Sequence, residues 1–162
     1  MPDPAPGPVR LVESFANADL LATREEAAAW LRAAALLPAE TGLTGSEHAA
    51  LLRLREAVRD TLVAHTEGRE DPEAAARLTR ALAEGRLVVT VDAASMVRLA
   101  SAARASYPSV VAAIAVAIAE AAAAGTWLRL KSCAAPGCGQ AFYDDSATAG
   151  ARGCGTHAAQ GG

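Results

Sequence analysis

The chain has 162 residues, the usual size of one domain, and this length excludes two large domains. Hydrophobic residues make up 52% of it, but 43 of them are alanine, and the 17 leucines far outnumber the 2 isoleucines, a balance that favours helices and argues against an all-β fold. The formal net charge is −3, so the chain as a whole does not attract nucleic acid and any contact with DNA has to be local.

The start of the chain is predicted to be an extended, disordered tail over residues 1–10. It carries four prolines in eight positions and lacks the apolar region of a secretory signal. Residues 10–21 mix apolar and small polar side chains without a clear period, which predicts a short extended piece or a loop.

Two capping boxes predict where the next two helices begin. Thr23 and Glu26 precede a helix over residues 24–35, and Thr44 and Glu47 precede the strongest helical segment of the chain. The apolar positions of that segment recur at helical spacing and predict its buried side: Leu51, Leu54, Val58 and Leu62.

A third helix, a hairpin and a fourth helix are predicted to follow. Asp71 caps a helix that runs to Glu84. The β-branched residues 87–91 and the segment 96–100 predict a β-hairpin, and the last long helix covers residues 106–125. This last helix contains an alanine-rich run that is shorter than the ~20 residues needed to span a bilayer, so no membrane contact is expected.

All three cysteines and one histidine lie in the glycine-rich C-terminal segment. Four residues separate Cys133 from Cys138, fifteen separate Cys138 from Cys154, and His157 follows after two more. Two such pairs offer three thiolates and one imidazole, which suits a tetrahedral Zn²⁺ ion. We therefore predict a zinc site at these four residues, with residues 128–131 and 140–145 paired as strands.

Two alternatives to this ligand set remain open. The cysteines can be ordinary buried thiols and His157 an exposed tail residue, although a segment this poor in large apolar groups needs a clamp to fold. Within a metal site, water or Asp144 can fill the fourth position instead of His157. Since three is an odd number of cysteines and none is predicted to pair, a reducing cytoplasm is the expected location.

The predicted fold is therefore mainly α, in the α+β class. A tail over residues 1–10 precedes a helical domain with a small β-hairpin over residues 11–125, and a small zinc-ribbon-like finger occupies residues 126–162.

Residues 129–146, RLKSCAAPGCGQAFYDDS, resemble the zinc-finger end of the bacterial CGNR zinc-finger proteins. Upstream, residues 13–37 and 43–68 resemble their companion ABATE domain, found in stress-induced transcription regulators. The resemblance implies a zinc-binding, stress-related regulator of transcription whose helical domain senses an effector or contacts a partner. The residues that fall where the family pattern has them are Arg129, Leu130, Lys131, Cys133, Cys138, Phe142, Asp144, Ser146, Arg152 and Cys154.

The chain also departs from that pattern. Ala159 stands where the family has its fourth cysteine, residues 160–162 replace the Gly-Asn-Arg of the motif, and the basic extension of the family does not follow. The phosphate contacts implied by the family would therefore come from Arg129, Lys131 and Arg152. With two aspartates beside them these leave about one net positive charge, below the several phosphate contacts typical of specific DNA binding.

The main rival is a protein-interaction or dimerisation module with a purely structural zinc and no DNA binding. Such a homodimer would use the small residues of the helix over residues 110–124. The aromatic side chains Phe15, Trp30, Tyr107 and Trp127 could line a pocket for a small effector, but they are expected to fill the core.

No catalytic residues are predicted. A zinc enzyme would need acid or base groups, for which His48, His65, Glu13 and Asp19 are the candidates, yet sites rich in thiolate are usually structural. His48 and His65 lie near the ends of one helix, where solvated surface or a favourable charge at the helix C-terminus explains His65. No common hydrolase, metalloprotease or nucleotide-binding motif is present in the sequence.

Overall fold

The computed structural model of the chain describes residues 5–19 and 22–157. This part contains five α-helices, a short 3₁₀-helix and two separate two-stranded antiparallel sheets, which confirms the predicted, mainly helical fold class. In chain order they are α1 (Gly7–Ala16), α2 (Arg24–Ala33), α3 (Gly45–Glu67), α4 (Pro72–Ala83), β1 (Leu87–Val91), β2 (Val97–Ser101), α5 (Tyr107–Ala123), the 3₁₀-helix Trp127–Arg129, β3 (Leu130–Ser132) and β4 (Ala141–Tyr143).

The first helix contradicts two sequence predictions. It begins at Gly7, so residues 7–10 are not an extended tail, and it covers most of the segment that was expected to be a loop. Proline is tolerated at its start because the first N–H groups of a helix have no partner within the helix. Its buried residues recur every three or four positions and form one apolar side: Val9, Val12, Phe15 and Ala16. Residues 1–4 of the predicted tail lie outside the described residues.

Both predicted capping boxes are confirmed. The Thr23 hydroxyl accepts from the Glu26 N–H at 3.2 Å, and the Glu26 carboxylate accepts from the Thr23 N–H at 3.1 Å. Thr44 and Glu47 repeat this exchange at the start of α3. The predicted stripe of α3 is fully buried, and Gly68 ends the helix with a φ of 63°, a conformation that glycine adopts without strain.

The other predicted elements are confirmed with small shifts. Asp71 caps α4 through its carboxylate, which accepts from the Ala74 N–H at 2.9 Å. The strands of the hairpin pair from Leu87 with Ser101 to Val91 with Val97, one residue later in the second strand than expected. No helix of the described part is long and apolar enough to cross a membrane.

Helix α5 lies at the centre of the helical part and contacts α1, α4 and β2. Val110, Val111 and Ile114 are fully buried, and four of its alanines are also buried: Ala112, Ala115, Ala117 and Ala121. Its backbone approaches Gly85 so closely that a Cβ there would lie 2.8 Å from the Ala112 nitrogen. The small residues on this side of α5 therefore serve close packing within the chain, and a dimer contact through this helix stays a prediction.

The aromatic residues are mainly core fillers, as expected. Phe15 is fully buried and Tyr107 nearly so, while Trp30 and Trp127 pack against the core from its edge. The rings of Phe15 and Trp30 lie 6.0 Å apart at a tilted angle.

The finger packs directly onto the helical part. Its strands β3 and β4 pair within the predicted segments, but residues 128 and 129 belong to the 3₁₀-helix and β3 extends to Ser132. Leu130 and Ala141 belong to the same hydrophobic core as the helices. The Asn17 side chain at the end of α1 bonds both backbone groups of Ala141, each at 2.8 Å. Helix α3 contacts β3 and helix α1 contacts β4, so these two helices together hold the finger in place.

Candidate metal centre

The structure brings the four predicted ligands together. The ligand atoms of Cys133, Cys138, Cys154 and His157 all lie within 4.8 Å of one another. The His157 Nδ1 atom is 3.6 Å from the Cys133 Sγ and 3.3 Å from the Cys154 Sγ, and the Sγ atoms of Cys138 and Cys154 are 3.9 Å apart. None of the three cysteines forms a disulfide.

These distances fit a tetrahedral metal ion. Zinc binds thiolate sulfur at about 2.3 Å and imidazole nitrogen at about 2.0–2.1 Å, so a tetrahedron places two sulfurs about 3.8 Å apart and a sulfur and a nitrogen about 3.6 Å apart. The three separations given above agree with these values to within about 0.3 Å, and all ligand atoms lie within 4.8 Å of one another. The atoms are thus arranged as a metal site requires, with donors that suit zinc.

The first pair of ligands lies on a tight turn that follows β3. The Cys133 N–H donates to the Gln140 carbonyl at 2.8 Å and extends the β3–β4 ladder by one step. The Cys138 N–H donates to the Ala135 carbonyl at 3.0 Å. Gly137, with a φ of 76°, lets the chain reverse so that both sulfurs face the same side.

The second pair lies on a single turn near the end of the described chain. The His157 N–H donates to the Cys154 carbonyl at 2.7 Å, which places the imidazole beside the sulfur of the same turn. The Ala134 N–H donates to the Arg152 carbonyl at 2.8 Å and ties this turn to the first one.

The environment of Cys154 favours its thiolate form. The hydrogen bond with His157 lowers the pKa of the Cys154 thiol to about 6, against the burial that would raise it. Metal ions bind the thiolate and not the thiol, so this contact prepares a ligand that is ionised at neutral pH.

Asp144, the alternative fourth ligand, is not part of the cluster. Its Oδ2 accepts from the Lys131 Nζ at 2.8 Å and from the Ala151 N–H at 2.9 Å, and its Oδ1 accepts from both donors of Ser146. Burial would raise the pKa of this carboxyl, but the Lys131 and Ser146 contacts outweigh it and hold the pKa below its usual value. Asp144 is thus committed to the loop that precedes Cys154, and His157 takes the fourth place.

Lys131 is buried and paired within the finger, which argues against its predicted contact with phosphate. The residue is only 5% exposed, and its ammonium group also donates to the carbonyls of Ala149 and Ala151, at 2.5 and 3.1 Å. Its three donors are all used inside the finger. Lys131 occupies a strand of three buried residues, and the sequence of that strand does not indicate which residues turn inward.

The two predicted arginines also bind backbone carbonyls. The half-buried Arg129 donates to Asp144 and Ser146 at 3.0 and 2.8 Å, and so holds the same loop as Lys131. Arg152 donates to the Thr66 carbonyl at 3.1 Å but remains an exposed residue. Contact of these arginines with nucleic acid stays a prediction.

Helix α3 provides two residues that the sequence reasoning did not place at the finger. Thr66 donates its hydroxyl to the Ser132 carbonyl at 2.7 Å and accepts from the Ser132 N–H at 2.9 Å, an exchange that fixes the end of β3 to the helix. Thr66 follows Leu62 by four residues, so the continued helical stripe was a signal for its burial.

His65 precedes Thr66 in the chain and also contacts β3. Its Nδ1 is 2.8 Å from the Leu130 carbonyl, and its ring meets the Trp127 ring edge-on at 4.9 Å. The ring is thus not part of a solvated surface, and its burial lowers the pKa of His65, which disfavours a positive charge at the helix end. None of the proposed acid or base groups, His48, His65, Glu13 or Asp19, belongs to the metal cluster.

Comparison with known families agrees with this architecture. Residues 9–128 match the model of the family ABATE, described as "Putative stress-induced transcription regulator". The chain belongs to the ABATE family. The Cys/His cluster of this ABATE chain follows directly after the matched residues and fits a zinc finger of the CGNR type. No curated protein matches the chain in sequence.

Proposed function

We propose that this ABATE chain is a zinc-binding regulatory protein in which the metal maintains the finger and the helical part receives an effector or a partner. The observation that carries the proposal is the convergence of four donor atoms within 4.8 Å of one another, directly after an ABATE domain. Cys133, Cys138, Cys154 and His157 would hold the ion. Bound zinc would crosslink the two turns, a contribution on the order of 10 kcal/mol in small finger peptides.

A structural metal is favoured over a catalytic one. Three thiolates and an imidazole complete a tetrahedron and leave no open position for water or substrate. Cys133 and Cys154 are almost fully buried, which limits access to the ion. We therefore propose that the protein is not an enzyme, and that its free thiols belong to a reducing compartment such as a bacterial cytoplasm.

Zinc content of single variants tests the ligand set. His157→Ala should lower the zinc bound per chain well below that of the wild type, because the variant keeps only three of the four metal-binding side chains. His48→Ala is the matched control, since His48 lies on α3 outside the cluster, and it should keep the full zinc content. Full zinc occupancy in His157→Ala, measured by elemental analysis, would remove His157 from the site.

A role in protein contact is favoured over DNA binding. The basic groups next to the cluster are engaged in the finger itself, and Arg152 is the one of the three predicted contacts that is exposed. A gel-shift assay with mixed duplex DNA at about 50 mM salt, where phosphate contacts are strong, should show no retention. Retention that Arg152→Ala abolishes would instead support DNA binding by the finger.

A further inference from the structure

The β1–β2 hairpin carries most of the exposed large hydrophobic side chains. The structure places nine such residues on the surface of the described part, and seven of them lie on this hairpin. Monomeric proteins rarely leave contiguous apolar surface uncovered, and where they do it is often an interaction site.

The register of the hairpin sorts its side chains onto two faces. Paired residues of antiparallel strands point to the same side, and successive residues alternate. One side, which we call the apolar face, therefore carries Leu87, Val89, Val91, Val97 and Leu99 without a charged residue. The opposite face is mixed, because it contains the pair Thr90 and Arg98 as well as the pair Val88 and Ala100.

The apolar face becomes more exposed from the base of the hairpin to its tip. Leu87 and Leu99 near the base are 39% and 46% exposed, whereas Val89 and Val91 are both 64% exposed and Val97 is 65% exposed. The hairpin thus extends from the helical part with its apolar face uncovered. Two strands alone are at best marginally stable in water, so this face calls for a covering layer.

A groove continues the apolar face toward the helices. Its volume is about 690 Å³, and Leu99 belongs to both surfaces. Leu11 of α1 and Val116 of α5 provide further apolar lining, and the groove also contains one basic and one acidic residue, Arg104 and Glu120. The face and the groove therefore form one surface with balanced charge.

The size of this surface is what a dimer of modest stability needs. An aliphatic side chain has roughly 60–120 Å² of apolar surface, so the five residues of the face, exposed by about half, present roughly 150–350 Å². A standard interface buries about 800 Å² per partner, of which somewhat more than half is apolar. The face alone provides about half of that apolar area, so with the groove the surface suits an interface at the small end of the stable range, about 600 Å² per partner.

We propose that the apolar face and the groove bind the same surface of a second copy, which forms a dimer with twofold symmetry. A face without charge requires an apolar partner surface, and the hairpin is the largest exposed cluster of this kind in the described chain. In a twofold interface each contact occurs twice with the roles exchanged. The opposite charges of Arg104 and Glu120 suit that arrangement, because each can approach its counterpart across the interface.

Sedimentation of the full, zinc-loaded chain tests the proposal with matched variants on the two faces of one strand. At about 100 µM, a hundred times a micromolar Kd, the wild type should sediment at twice its chain mass of 16.4 kDa. Val89→Glu puts a charge on the apolar face and should weaken the dimer at least tenfold. Thr90→Glu puts the same charge on the opposite face and should leave the dimer intact.

A second pair of variants on α5 tests the groove. Ala113→Glu introduces a charge into the groove and should also weaken the dimer, whereas Ala119→Glu, on the exposed side of the same helix, should not. As a control, circular dichroism should show that all four variants keep the wild-type fold. A monomeric wild type at about 100 µM, or equal dissociation constants for Val89→Glu and Thr90→Glu, would overturn the proposal.

Discussion

Lys131 and Asp144 form a buried ion pair that organises the loop before the second pair of metal ligands. The two residues are 5% and 1% exposed, and their contact is 2.8 Å long. The remaining donors and acceptors of both side chains are satisfied within the finger, mainly by the backbone of residues 146–151. Such a pair stabilises a fold only as a complete unit, because either charge alone would be buried without compensation.

Asp144→Asn should therefore destabilise the protein by about 3–5 kcal/mol, since it leaves the ammonium of Lys131 buried without its counter-charge. The exposed neighbour provides the control, and Asp145→Asn should change the free energy of unfolding by less than about 0.5 kcal/mol. Urea unfolding at neutral pH measures both variants. Equal stability of the two variants would show that the pair does not hold the loop.

The same pair predicts an acid sensitivity. The folded pKa of Asp144 is lowered from its usual 3.8, so its contribution is complete above that pH and is lost as the pH falls through the folded value. The acid-induced loss of stability should accordingly be smaller in Asp144→Asn than in the wild type.

At the scale of elements, the contact between α3 and β3 decides where the finger lies. Thr66 is 7% exposed and satisfies both backbone groups of Ser132, while His65 reaches the adjacent Leu130 carbonyl. The Thr66 side chain thus makes hydrogen bonds to the β3 backbone that a neighbouring strand would otherwise make.

Thr66→Val keeps the shape of the side chain but leaves the two backbone groups of Ser132 without partners. The expected cost is about 1–3 kcal/mol in the free energy of unfolding. Thr61→Val is the matched control on the same helix, because Thr61 bonds only the Ala57 carbonyl of its own helix. Similar losses in the two variants, measured by thermal unfolding, would contradict the docking role of Thr66.

Local signals made several elements predictable from the sequence. A capping box needs only a hydroxyl and a carboxylate three residues apart, so the starts of α2 and α3 followed directly from Thr23 and Thr44. The metal ligands were predictable for the same reason, because the short spacing within each pair of ligands limits how far apart the two ligand atoms can lie.

Features that depend on distant packing were not predictable. The prolines at the start of the chain indicated a tail. Residues 7–16 nevertheless form a helix, because Val12 and Phe15 pack into the core. Likewise, Lys131 looked like a surface cation because its partner Asp144 lies thirteen residues away and is brought close only by the β3–β4 pairing.

At the scale of the whole molecule, the finger and the helical part share one core. Leu130 and Ala141 join the helical cluster, whereas Cys133, Phe142 and Cys154 form a separate, much smaller cluster around the ligands. The strands of the finger are therefore anchored by packing, while the turns that carry the ligands have little apolar material to hold them. We therefore attribute the shape of these turns to a bound metal ion.

Metal content and trypsin resistance, measured before and after exhaustive chelation, test this claim most directly. We expect one zinc ion per purified chain, with cleavage after Arg152, in the turn before Cys154, slow in the loaded protein and rapid once the metal is removed. A metal-free chain whose C-terminal segment stays resistant to trypsin after chelation would contradict it.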